Sequence, residues 1–303
     1  MTSSNAPIGM FDSGLGGLSV YRDIRQFLPY EDVIYYADSA WCPYGTKSHE
    51  EIRRRCHAIS ELLIEHGAKI IVVACNTATS VAIDFLRASF PQVPFIGLEP
   101  AVKPAAALTR GGKVGVLATP RTVSGDRLRW LIETHASGVE VRTTPGNGLV
   151  ELVESGTLRG PDVVRTIRPM LDPMLEAGVD VIVLGCTHYP FLRAEMQAYV
   201  GDHVAIIDSG AAIARRTASV LRATRLMRES DAIASFELMT SATAAHASRI
   251  ASLLLGMPVS AMQAECSTPA RQDEPALLCA VDLEPHPAAM SAVREMPGAA
   301  ITA

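Results

Sequence analysis

Short apolar runs, rich in β-branched side chains, alternate with longer amphipathic segments along most of the chain. The runs predict buried strands, because strands covered on both faces are apolar throughout, at 8–11, 33–37, 70–74, 95–97, 114–118, 139–143, 179–184 and 205–207. Helical periodicity lies between most of them, for example over 17–27, 48–66, 79–90 and 123–135. The alternation predicts an α/β fold with parallel sheets and a ligand site beyond the carboxyl ends of the strands.

The order of these segments repeats. The first half opens with "PIGMFDSGLGGLSV" and later contains "IIVVACNTATS", while the second opens with "GKVGVLATPRTVSG" and later contains "DVIVLGCTHYP". The repeat predicts two units related by internal pseudo-duplication. A buried cysteine alone is usually a small packing residue, but Cys75 and Cys186 would occupy equivalent positions where strands end. This equivalence favours a functional pair.

Composition excludes several classes of function. The 303 residues include 48% hydrophobic and 19% charged residues, which is typical of a globular protein. The net charge is −5 and the cations are scattered, which argues against a nucleic-acid partner. No apolar stretch approaches the roughly 18 residues of a membrane span, and the N-terminus lacks the features of a signal peptide. We therefore expect a cytoplasmic protein with no membrane partner.

The six cysteines form no C-x-x-C pair, so neither a metal site nor a disulfide framework is predicted. The loop "DSGLGG" after the first strand is not a dinucleotide motif, because Ser19 stands where G-x-G-x-x-G requires glycine. Its backbone N–H groups are expected to bind a small anion. Asp12 would receive an ammonium group or act as a base, or it would cap the following helix.

Four threonines near predicted strand ends are candidate donors to a substrate carboxylate, with helix capping or a turn as the alternative: Thr77, Thr119, Thr122 and Thr187. Tyr44 and Gly45, in "CPYGTK", form a turn that either closes over the site or only connects elements.

A free thiol, with a pKa of ~8.5, is mostly protonated at neutral pH and needs a neighbour to manage its proton. Asp12 would serve Cys75, and His188 would serve Cys186. Two thiols on opposite sides of a cleft, with no metal motif and no lysine-based cofactor signature, indicate two-sided proton transfer at a carbon. The predicted result is inversion of a stereocentre without a cofactor.

The chain resembles the glutamate racemases of the aspartate/glutamate racemase superfamily. The resemblance rests on "PIGMFDSGLGGLSV", "YYADSAWCPYGTKS", "ACNTATS", "GLEPAVKPA", "VGVLATPRTV", "LVELVESG" and "GCTHYP". It implies that Cys75 and Cys186 are the catalytic acid/bases and that Glu154 assists them. The implied substrate contacts are Asp12, Ser13, Tyr44, Gly45, Asn76, Thr77, Thr187 and His188. Cys42 is expected near the site, with no role in the family pattern.

The resemblance also implies two doubly wound parallel-sheet domains with the active site between them. The first domain would consist of residues 1–98 together with residues 211–264, whose helices return to it. The second domain would consist of residues 99–210. Residues 265–303 are rich in Ala and Pro and are expected to be a poorly ordered tail. The implied activity interconverts L- and D-glutamate for peptidoglycan, and a homodimer is left open. The alternatives are a racemase of aspartate or a hydantoin, and a small-molecule-binding or redox protein.

Overall fold

The computed structural model describes residues 3–266. Its strands are β1 (Ile8–Asp12), β2 (Val33–Ala37), β3 (Ile70–Val73), β4 (Phe95–Gly97), β5 (Lys113–Ala118), β6 (Glu140–Pro145), β7 (Val181–Gly185), β8 (Ala205–Ile207), β9 (Phe236–Thr240) and β10 (Ala261–Gln263). Its α-helices are α1 (Leu18–Phe27), α2 (His49–Glu65), α3 (Asn76–Ser89), α4 (Val102–Leu108), α5 (Pro120–Ser124), α6 (Asp126–His135), α7 (Leu149–Ser155), α8 (Pro161–Glu176), α9 (Arg193–Val200), α10 (Gly210–Ala223) and α11 (Ala244–Leu255).

The strands form two parallel sheets with the same central order. One sheet runs β10-β9-β2-β1-β3-β4 and the other β6-β5-β7-β8. The order β2-β1-β3-β4 therefore matches β6-β5-β7-β8 strand for strand. The α/β fold with two repeated parallel-sheet halves is confirmed. The central strands β1, β3 and β7 are buried along their full length, as their sequences predict, because they are apolar except for Asp12 at the end of β1.

The register brings the functional loops to the same edge of each sheet. Phe11 pairs with Val73 in the first sheet, and Ala118 pairs with Gly185 in the second. Because parallel neighbours end at the same level, the residues that follow β1 lie beside those that follow β3. The same holds for β5 and β7, so each cysteine stands at the carboxyl edge of its sheet.

Several sequence predictions need correction. The helix predicted over 123–135 is two helices, α5 and α6, because Gly125 between them has an extended backbone (φ −80°, ψ 143°). The segment 211–264 contains the expected helices α10 and α11, but also the unpredicted strands β9 and β10, which extend the first sheet beyond β2. Strand β10 is only three residues long and half exposed, so it lacks the apolar run that marks a central strand.

The segment after β8 packs on the first sheet's side of the molecule. Helix α10 lies against α1, and Ile24, Ala214 and Leu221 share one core cluster with Ile8 of β1. The domain boundaries themselves stay a prediction. The expected tail at 265–303 lies almost wholly outside the described residues. Within the described residues, none of the helices has the length and apolar character needed to cross a bilayer.

Candidate active site

Cys75 is the N-cap residue of α3, directly after β3. Its Sγ accepts a hydrogen bond from the Ala78 N–H at 3.4 Å and lies 3.9 Å from Ser13 Oγ. Burial raises the pKa of the Cys75 thiol well above its usual value, and the negative charge of Asp12 raises it further. Cys75 therefore rests as a protonated thiol beside a carboxylate.

Asp12 is fully buried and is held by both halves of the molecule. Its carboxylate accepts the N–H groups of Ser13 at 2.7 Å and Gly17 at 2.6 Å, and the Thr187 hydroxyl at 3.0 Å. Burial raises the pKa of Asp12, although the charge of His188 and the hydrogen bonds from Ser13 and Thr187 act against the rise. Asp12 is consequently a better proton acceptor than an exposed aspartate.

Cys186 begins a hydrogen-bonded chain of three side chains after β7. Its Sγ lies 3.7 Å from His188 Nδ1, and His188 Nε2 lies 2.7 Å from Glu154 Oε1. Glu154 comes from α7, and its Oε1 also accepts the Leu15 N–H at 2.6 Å. The imidazole can exchange a proton with the sulfur while Glu154 fixes its orientation.

His188 is buried and forms an ion pair with Glu154, which is partly buried. Burial alone would lower the pKa of His188, but hydrogen bonds to Cys186, Cys42 and Glu154 raise it well above its usual value. Burial alone would raise the pKa of Glu154, but the hydrogen bond and charge of His188 lower it. Both directions favour imidazolium and carboxylate at neutral pH.

Close packing against the loop "DSGLGG" explains why the loop contains glycines. A Cβ at Gly16 would overlap the His188 ring, and a Cβ at Gly14 would overlap the Glu154 carboxylate. The loop does bind anions, but these are the protein's own carboxylates: Asp12 at Gly17 and Glu154 at Leu15. The N–H groups of Ser13, Leu15 and Gly17 are thus occupied by the protein's own carboxylates, and binding of a substrate anion by the rest of the loop stays a prediction.

Both cysteines line one pocket of about 280 Å³, including its opening to solvent. The sequence-predicted residues that line it are Asp12, Ser13, Tyr44, Gly45, Cys75, Asn76, Thr77, Thr119, Cys186, Thr187 and His188. Two predicted residues, Thr122 and Glu154, are not in the lining and instead bond to residues that are. The loop after β1 and the turns after β2, β3, β5 and β7 thus converge on one site.

Three threonine hydroxyls join the two halves at this pocket. Thr77 Oγ1 lies 3.0 Å from Thr119 Oγ1, which donates to Thr122 Oγ1 at 3.0 Å. Thr119 also caps α5 by accepting the Thr122 N–H at 3.3 Å. Thr119 is therefore a helix cap, one of the two alternatives, while donation from its hydroxyl to a substrate carboxylate stays a prediction.

Cys42 lies beside His188 and Glu154, as expected from its position before Pro43. The three side chains offer ligand atoms within 4.8 Å of one another. Among the described residues, they are the cluster of Cys, His and carboxylate side chains whose spacing could hold a metal ion. Glu154 Oε1 already accepts two hydrogen bonds, one of them from the His188 ring. Burial raises the pKa of Cys42 to about 11. We therefore interpret the group as a hydrogen-bonded cluster.

Sequence reasoning missed four residues at or behind the pocket. Pro43 and Val150 line it, and neither carries a polar group that would have marked it. Asp38 accepts the Tyr44 hydroxyl at 2.6 Å and is paired with Arg55. One signal could have found Asp38: it follows β2 as Asp12 ends β1, at the same edge of the sheet.

Comparisons with known proteins point to a single family. The family model Asp/Glu/Hydantoin racemase matches residues 8–217. The chain is 50% identical to a glutamate racemase of Herpetosiphon aurantiacus over 244 residues, covering 80% of this chain and 96% of the relative. It is 48% identical to a Pseudomonas aeruginosa glutamate racemase over 260 residues, covering 86% and 98%.

Two solved structures share the fold. A glutamate racemase isoform from Bacillus anthracis superposes with a TM-score of 0.77 at 28% identity, covering 86% of this chain and 98% of that one. The Escherichia coli glutamate racemase, solved with L-glutamate and the activator UDP-MurNAc-ala, gives a TM-score of 0.72 at 35% identity, covering 85% and 97%.

Proposed function

Because the chain belongs to the Asp/Glu/Hydantoin racemase family, we propose that it interconverts L- and D-glutamate with two cysteines and no cofactor. The observation that carries the proposal is that Cys75 and Cys186 follow equivalent strands and line one buried pocket. Relatives about half identical to this chain are named glutamate racemases, which favours glutamate over aspartate or a hydantoin.

The proposed reaction moves one proton on each face of the substrate. One cysteine, as thiolate, takes the proton from Cα, and the resulting carbanion takes a proton from the thiol on the opposite face. The first cysteine then carries a proton and the second is a thiolate, so the protons balance and the reverse reaction can start from this state. The buried pocket strengthens the electrostatic interactions that stabilise the carbanion.

Asp12 and the His188–Glu154 pair would manage the thiol protons. Asp12 receives the Cys75 proton when that sulfur must act as a base, which its raised pKa favours. His188, charged and oriented by Glu154, exchanges a proton with Cys186. The substrate carboxylates are expected at Ser13, Asn76, Thr77, Thr119, Thr122 and Thr187 and at the turn of Tyr44 and Gly45.

The cellular role is part of the proposal. D-Glutamate made by this reaction would supply peptidoglycan synthesis, and the enzyme would work in the cytoplasm.

The experiment is racemisation of pure D-glutamate and pure L-glutamate in D₂O without added cofactor, followed by chiral chromatography and mass spectrometry. Both enantiomers should give the same racemic mixture with one deuterium at Cα. Aspartate and a hydantoin run in parallel test the alternative substrates. Binding of glutamate without deuterium incorporation would overturn the proposal in favour of a binding protein, and a Cys75–Cys186 disulfide in freshly isolated protein would favour a redox role.

A further inference from the structure

A buried ionic cluster lies behind the part of the pocket formed by residues 43–45, which we call the pocket turn. The Asp38 carboxylate accepts the Tyr44 hydroxyl at 2.6 Å. It also accepts two hydrogen bonds from Arg55 on α2, at 3.0 Å from Nε and 2.6 Å from Nη2. All three residues are buried. A single carboxylate therefore connects the pocket turn to a long helix.

Arg55 extends this cluster to the last described residues of the chain. Its Nη1 donates to the Cys266 carbonyl at 3.1 Å, and its guanidinium lies 5.0 Å from the centre of the Trp41 ring. The nearby Ala264 carbonyl accepts the Tyr36 hydroxyl at 3.0 Å. Arg55 thus holds the pocket turn, through Asp38, and the segment after β10 at the same time.

An ion pair of this kind does little for stability alone, because the cost of desolvating two charges offsets their attraction. The two parallel hydrogen bonds instead fix the orientation of the Asp38 carboxylate relative to Arg55, because a guanidinium that binds both carboxylate oxygens allows only one arrangement of the pair. We propose that Arg55 is a positioning residue for substrate binding, which holds Asp38 and thereby fixes Tyr44 and the pocket turn. The proposal rests on the proposed function for its main readout, glutamate turnover.

A second buried ion pair, at the opposite end of the same sheet, provides a matched control. Lys69 Nζ lies 2.5 Å from Glu31 Oε2 and 2.6 Å from the Ser4 carbonyl. Lys69 precedes β3, so this pair lies at the amino ends of the strands, away from the pocket. Breaking either pair leaves one buried charge without its partner, but only the Arg55 pair contacts the pocket turn.

The experiment measures kcat and KM for D-glutamate and L-glutamate, together with Tm, in Arg55→Met, Arg55→Lys and Lys69→Met. We expect Arg55→Met to raise KM about tenfold, the equivalent of one lost hydrogen bond to a charged group, with a smaller change in kcat. Arg55→Lys should recover part of the affinity. Lys69→Met should lower Tm without changing KM.

Two further variants keep the test decisive if Arg55→Met folds poorly. Arg55→Met combined with Asp38→Asn buries no unpaired charge and should still show the raised KM. Tyr44→Phe should raise KM as well, and its effect should not add to that of Arg55→Met, because both loosen the same turn. An unchanged KM in the folded Arg55 variants of an active enzyme would overturn the positioning role and leave the proposed function intact. A wild-type enzyme that does not racemise glutamate would overturn the proposed function instead.

Discussion

The two cysteines stand at equivalent places in repeated halves, yet their neighbours are chemically opposite. Cys75 lies beside a buried carboxylate, Asp12, which contributes to raising its pKa. Cys186 lies beside the His188 ring, whose own pKa is raised by its partners. The common topology places both sulfurs at the carboxyl edges of their sheets. The difference teaches that the repeated topology sets the positions of the two thiols, while residues from other elements, such as Asp12 of β1 and Glu154 of α7, set the charge around each one.

The largest effect should come from removing either sulfur. Cys75→Ala and Cys186→Ala should each lower racemisation at least about 10³-fold, because proton transfer needs an acid/base on both faces. Cys56→Ala is the matched control, since Cys56 is also buried but lies on α2 outside the pocket lining. Turnover of D-glutamate measures all three. If either pocket variant kept near-full activity, the two-cysteine assignment would be wrong.

Asp12→Asn and His188→Asn should each lower kcat about 10²- to 10⁴-fold, the range for loss of acid–base assistance. Because the two enantiomers are equally stable, kcat/KM must remain equal for D- and L-glutamate in every variant. The different roles of Asp12 and His188 must therefore be detected by the kinetic isotope effect of deuterium at Cα. Each variant slows proton transfer at one of the two sulfurs. The slowing of the reaction by deuterium at Cα should therefore increase for only one enantiomer of the substrate. The affected enantiomer should be opposite in the two variants. An increased isotope effect for the same enantiomer in both variants would contradict the assignment of Asp12 to Cys75 and of His188 to Cys186.

Glu154→Gln should have a smaller effect, about tenfold on kcat, because Glu154 lies outside the pocket lining and acts through the His188 ring and the Leu15 N–H. Glu151→Gln on the same helix is the control, since Glu151 is exposed and should be neutral. Steady-state rates in both directions measure the change. A loss as large as that of His188→Asn would mean that the carboxylate itself takes part in proton transfer.

The smallest effect is on stability and its pH dependence. The pKa of His188 is raised above 6.5, so the stability from its charged form is complete below that pH and is lost as pH rises through the folded pKa. The pKa of Glu154 is lowered below 4.5, so its contribution is present above that pH and is lost as pH falls through the folded pKa. In urea unfolding, the free energy of unfolding of the wild type should therefore exceed that of Glu154→Gln by the largest amount between pH 4.5 and pH 6.5. An advantage that does not change with pH would argue against the ion pair.

Much of the fold and the pairing of the cysteines could be predicted because their signals are local or repeated. The apolar runs of β1, β3, β5 and β7 mark buried parallel strands, and the repeat of strand, small residue and cysteine makes Cys75 and Cys186 equivalent. Strands β9 and β10 escaped prediction, because Glu237 interrupts the apolar run of β9 and because β10 is a three-residue edge strand without a buried position. Helix α3 begins at Asn76 rather than Thr79, because Cys75 supplies the cap.

By itself the sequence determined that the chain forms repeated parallel α/β units and that two cysteines end equivalent strands. Only the tertiary structure decided what surrounds each sulfur. Leu15 and Glu154 are far apart in sequence yet share a 2.6 Å hydrogen bond, and Thr187 reaches Asp12 from the other half at 3.0 Å. Such contacts depend on how separate elements pack, which local patterns do not encode. For the same reason the loop "DSGLGG", expected to bind a substrate anion, holds two of the protein's own carboxylates.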